Sequence, residues 1–295
     1  MEYTIASGGL RAVITDAGAE IRSLCDESNF EYIWQRDPAI WGESAPLLFP
    51  VCGRVKNERY TLSGKEYTMH GHGFLKTMTF RLTEKADDRV VLTAVSDGMT
   101  RAMYPFDFEI TAEYTLSDGA ITCRYTVKNT GDGVMPFNFG LHPGITAPFT
   151  DGLTIDDCTL DFGAGCRGGY ISPLCNGPFV SRAAWHFYPF DGGKLHLSEK
   201  EITDNDTLVF DSLPHKFVFS DGAGERALEF SYSDTLPYLC IWKAAGEAAR
   251  YICLEPWSGT PTDGECAENF DTRDRMERLS PGEKQVFSYS MKFRR

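Results

Sequence analysis

The sequence predicts an all-β domain, a sandwich or a barrel, with few and short helices. Three observations carry this. Apolar and polar residues alternate at period two in several segments, turn residues recur between those segments, and no long stretch sustains a 3.6-residue apolar period. The chain of 295 residues is long enough to bury a sizeable core. All-β architectures above about 200 residues often form one domain. Residues 1–295 contain no linker, low-complexity tract or repeat, so one domain is expected.

The clearest element is "AITCRYTVKNTG", with Ile121, Cys123, Tyr125 and Val127 on one face and Thr122, Arg124, Thr126 and Lys128 on the other. Ser117-Asp118-Gly119 joins it to "FEITAEYTL" as a hairpin. "KFVFSDGAGERALEFSY" repeats the pattern around a Gly-containing loop. In "KQVFSYSMKF", Phe287, Tyr289, Met291 and Phe293 oppose Ser288, Ser290 and Lys292. The interval from Gly163 to Asp206 reads as loop-rich.

Composition excludes several functions. A formal charge of −13, from 29 basic and 42 acidic residues, disfavours nucleic acid and anionic membrane surfaces, which need clustered Lys and Arg. No apolar run approaches the roughly 18 residues of a membrane span, and the N-terminus lacks the pattern of a signal peptide. Nine cysteines without a CxxC pair, most of them in apolar segments, suggest reduced thiols and a cytoplasmic protein. Cys158, Cys166 and Cys175 fit no familiar zinc spacing.

Four short segments stand out: "APLLFPVCGRV" with Arg54, "HGHGF" with His70 and His72, "NFGLHPGI" with His142, and "YICLEPWSG" with Glu255 at the end of an apolar strand. Each alone has a plain structural explanation, such as an exposed strand end or a hydrogen-bonded turn residue. In order and spacing they resemble the aldose 1-epimerase (galactose mutarotase-like) superfamily, most closely its LacX-like branch. "AGAEIRSL", "EYIWQRDPAIW" and "MERLSPGEKQVFSYSM" extend the resemblance almost end to end.

The resemblance implies a large antiparallel β-sandwich and a metal-independent isomerase that interconverts the anomers of a small-molecule aldose without a cofactor. It implies Glu255 as general base, His142 as general acid, His72 as a second active-site histidine, and Arg54 as a ligand of sugar hydroxyls. An aspartate ligand is expected at Asp206, with Asp204 the alternative, and His70 is expected to be a bystander. Lys76-Thr77 stand where relatives often carry Arg-Asp, and Cys52-Gly53 precede Arg54 where many have Asn. The chemistry agrees: moving one proton off the C1 hydroxyl and one onto the ring oxygen needs one base and one acid. Trp257 or Phe74 could cover a sugar face.

Three other readings compete. A cupin-like metal enzyme would use His70 and His72 from one strand face, with His142 and Glu255. A glycoside hydrolase would pair Glu255 with Asp206. A non-catalytic sugar-binding protein would need no acid–base pair.

Overall fold

A computed structural model describes residues 1–294 except 173, 176–178, 182, 183 and 264–267. The fold is a large antiparallel β-sandwich with, among the described residues, two short α-helices, Gly98–Met103 and Glu199–Asp204. Among the described residues one sheet has nine strands. It runs from Lys194–His196 through Thr159–Asp161, Lys216–Ser220, Ala227–Tyr232, Lys284–Arg294, Ala120–Asn129, Phe108–Ser117 and Arg89–Val95 to Arg81–Lys85. The other runs through His186–Pro189, Gly168–Ser172, Leu208–Asp211, Tyr238–Trp242, Tyr251–Trp257, Gly140–Leu141 and Leu47–Leu48, with Gly144–Thr146 also paired to Tyr251–Trp257. A three-stranded N-terminal sheet, Glu2–Ser7, Leu10–Thr15 and Ile21–Asp26, adds Ile5, Ala12 and Ile14 to the core.

The alternating segments form the middle of the nine-stranded sheet. Ala120 pairs with Ser117 across a two-residue turn in which Asp118 and Gly119 both have positive φ, the geometry that matches the twist of a tight hairpin. Ile121, Cys123, Tyr125 and Val127 are all buried and face the second sheet. Phe139 and Phe287 stack between the layers at 4.8 Å. Truncating either ring to Ala would cost about 3–5 kcal/mol.

Tyr251–Trp257 behaves differently, because all seven of its residues are buried. Ile252 and Leu254 join the inter-sheet core, whereas Tyr251, Cys253 and Trp257 pack in small clusters on the opposite face. A strand covered on both sides reads as a continuous apolar run. Glu255 is therefore inside the strand, not at its end. Pro256 is tolerated because the neighbouring N–H groups of Leu254 and Ser258 donate to Pro143 and Phe139, towards the segment where the ladder is already broken.

The interval expected to be loop-rich instead supplies short strands to both sheets: the edge strands His186–Pro189 and Lys194–His196, and Gly168–Ser172 next to the first of these. These strands are three to five residues long, too short to show alternation. Tyr170 and Phe187 are exposed on them, which further obscures the pattern. The seven described cysteines are free, Cys158 and Cys166 among them. The Cys175 thiol lies outside the described residues.

Candidate active site

Strand parity places Glu255 on the outer face of the second sheet with Cys253 and Trp257. The register sets it opposite Cys240 of Tyr238–Trp242, whose Trp242 shares that face. Glu255 is 1% exposed, and neither carboxylate oxygen has a hydrogen-bond partner. Burial pushes its carboxyl well above the usual range, and the negative charge of Asp206 adds to this. The nearby Trp257 indole opposes the shift without reaching good hydrogen-bond geometry.

His142 occupies the break between Gly140–Leu141 and Gly144–Thr146. Gly144 N–H donates to Ser44 O at 2.7 Å, which ties this segment to the one carrying Trp41. The imidazole packs against Trp41 (5.1 Å) and Trp242 (5.6 Å). Its Nε2 lies 3.2 Å from Glu255 Oε2. Burial holds its pKa well below the ordinary value, helped by His72 and the positive charge of Lys76.

His72 comes from a tight turn, not from a strand. His72 and Gly73 both have positive φ, and a Cβ on Gly73 would stand 2.0 Å from Phe49 O, so only glycine fits there. The His72 N–H donates to Gly53 O at 2.8 Å, and Gly53 N–H donates back to His72 Nδ1 at 3.2 Å. That second bond fixes the neutral tautomer with its proton on Nε2. Burial lowers the pKa to about 3, with Lys76 and Arg54 adding repulsion. The same turn rules out strand parity for His70 and His72, and with it the basis of the cupin-like ligand set. His70 is exposed and pairs with Glu58 at 3.1 Å.

Arg54, His72, His142, Asp206 and Glu255 line one cleft of about 310 Å³. Among the described residues the exposed Arg54 side chain makes no hydrogen bond or ion pair. Asp206 follows the helix Glu199–Asp204, whereas Asp204 pairs with Lys200 and is not part of the lining. Trp257 lines the cleft, while Phe74 belongs to the core beside Phe49 and Phe108. Sequence reasoning missed Trp41, Glu43 and Trp242 as lining residues. Trp242 was legible by parity with Cys240; Trp41 and Glu43 carry no local signal.

Among the described residues, His142, Cys253 and Glu255 are the group whose ligand atoms gather closely, within 4.8 Å. Burial keeps the Cys253 thiol protonated, its pKa raised well above the ordinary value. The arrangement sets a carboxyl and an imidazole in contact, walled by indole rings and edged by the charged side chains of Arg54 and Asp206.

A family model for aldose 1-epimerase matches residues 1–292. The chain belongs to the aldose 1-epimerase family. Among its relatives, the plasmid-encoded protein LacX of Lactococcus lactis subsp. lactis is 25% identical over 290 residues, covering 93% of each chain. A galactose mutarotase related enzyme from Lactobacillus acidophilus superposes with a TM-score of 0.92 at 27% identity, over 100% of this chain and 98% of that one. A galactose mutarotase-like protein from Lactobacillus casei gives 0.89 at 27% identity, over 100% of both. Family and fold thus agree across the whole length of this aldose 1-epimerase relative.

Proposed function

We propose that the protein is a mutarotase acting on a free aldose, with Glu255 as general base and His142 as general acid. The reading rests on one observation: the buried, hydrogen-bond-free Glu255 carboxyl stands 3.2 Å from His142 Nε2 in an open cleft. Burial disfavours each charge separately. Moving one proton from Glu255 to His142 leaves the net charge of the pair unchanged, so the two titrate as a unit holding one proton. In that form the carboxylate takes the C1 hydroxyl proton while the imidazolium protonates the ring oxygen. The C1–O5 bond breaks, the C1 carbonyl forms, rotation about C1–C2 exchanges the faces, and the reverse transfers close the ring.

His72, with Nε2–H as a donor, holds and polarises an oxygen without changing protonation. Arg54 and Asp206 bind hydroxyls through charge-assisted hydrogen bonds. No step requires a metal or a redox group. The free thiols support a reducing compartment such as the cytoplasm. Among the described residues no helix is long and apolar enough to cross a membrane. Polarimetry of fresh α-glucose and α-galactose tests the activity. Sugar binding with no acceleration of mutarotation would replace it with the non-catalytic sugar-binding reading.

A further inference from the structure

Two charged residues of the cleft have no part in the acid–base scheme. Lys76 Nζ lies 2.9 Å from Glu43 Oε1, and both side chains line the cleft with His72, His142 and Glu255. They are 26% and 38% exposed. A partly exposed ion pair contributes little to stability, so folding alone gives no reason for its position. Neither side chain makes a hydrogen bond among the described residues, which leaves ammonium donors and carboxylate lone pairs available.

The pair also hangs from fixed backbone. Lys76 sits in the turn Leu75–Thr77, where Leu75 is fully buried and Gly18 N–H donates to Met78 O at 2.8 Å. Glu43 lies between Trp41, which packs on His142, and Ser44, whose carbonyl accepts from Gly144 N–H. Lys76 is close enough to depress the pKa of both His72 and His142, and Glu43 to raise that of Cys253.

We infer that Lys76 and Glu43 form a reading head for two vicinal hydroxyls of the aldose, an inference that rests on the proposed function. A donor and an acceptor at hydrogen-bond separation match two gauche hydroxyls on adjacent carbons, which stand at a similar distance from one another. One hydroxyl accepts from Lys76 and the other donates to Glu43. The remaining charged rim groups, Arg54 and Asp206, also balance, so the cleft selects a neutral polyhydroxylated ring over a sugar carrying an anionic group.

The test is the double variant Lys76→Met/Glu43→Gln, which removes both charges and keeps the net charge of the cleft. Glucose, galactose and their monodeoxy derivatives serve as probes. Binding is read from tryptophan fluorescence, since Trp41, Trp242 and Trp257 line the cleft, and turnover is read by polarimetry. The parent protein should discriminate against two adjacent monodeoxy positions. The double variant should raise KM about ten- to a hundredfold, leave kcat within a few fold, and lose that discrimination. Glu43→Gln alone, which keeps its size and an acceptor, should show a smaller loss of the same pattern. Unchanged KM, or discrimination retained in the folded variants, overturns the inference while an active parent leaves the mutarotase reading intact. A parent that accelerates no mutarotation removes both.

Discussion

Replacing His72 by Gln isolates the energetic consequence of holding a half-buried imidazole neutral beside the cleft. The folded ring has a pKa of about 3, against an ordinary value of 6.5. Between pH 7.5 and 5.5 the unfolded His72 gains nearly a full proton, whereas the folded one gains almost none. The unfolded state then binds more protons, so stability is retained at higher pH and lost as pH falls through the unfolded pKa. For one group that loss amounts to about 1.4 kcal/mol over this interval. By pH 3 it would approach about 4–5 kcal/mol, an upper bound because one edge of the ring meets solvent in the cleft. Urea unfolding of both proteins at the two pH values measures it. Subtracting the pH 7.5 result cancels the lost Gly53–His72 hydrogen bond, which is common to both conditions. The parent should lose about 1.4 kcal/mol more than His72→Gln on going to pH 5.5. Parallel pH dependence in the two proteins would refute a neutral, half-buried His72.

Glu255→Gln and His142→Asn should each lower kcat by about 10²–10⁴ in polarimetry while still binding aldose, because each removes one positioned proton-transfer group. Full activity in folded Glu255→Gln would end the acid–base scheme. Activity of the parent should follow a bell-shaped pH profile, falling in acid when the Glu255–His142 pair gains a second proton and in alkali when it loses its one; a flat profile would contradict a shared proton. Arg54→Ala should mainly raise KM, as expected if this guanidinium acts only by holding hydroxyls. Treatment of the purified protein with EDTA should leave its rate unchanged, and loss of activity restored by zinc would revive the metal reading.

The layers of the fold were legible where strands are long and half-buried. Ile121 to Val127 and Phe287 to Met291 alternate because one side faces the second sheet and the other faces away from it. The short strands between Gly163 and Asp206 were not, since three to five residues give too few periods and exposed Tyr170 and Phe187 blur the signal. In the sequence Glu255 reads as the close of an apolar strand for a related reason. A strand buried on both faces shows no alternation, so its polar residue reads as a boundary until the register with Tyr238–Trp242 is known.

The residues proposed for the site stand in recognisable motifs, but Trp41 and Glu43 carry no such signal, because the segment that holds them is tied to the cleft by a tertiary contact, Gly144 N–H to Ser44 O. What marks the place physically is unmet hydrogen bonding. Among the described residues, the buried side-chain polar atoms lacking a partner are Arg36 Nε, Asn138 Oδ1, His142 Nδ1, Tyr232 OH, both Glu255 oxygens and Trp257 Nε1. Of these, the His142, Glu255 and Trp257 atoms belong to residues of a single cleft, while Arg36, Asn138 and Tyr232 are absent from its lining. A fold selected for stability alone would not gather them at one point of a central strand. Donors and acceptors thus converge on one small volume of the cleft, the arrangement that the proposed proton transfer at an anomeric carbon requires.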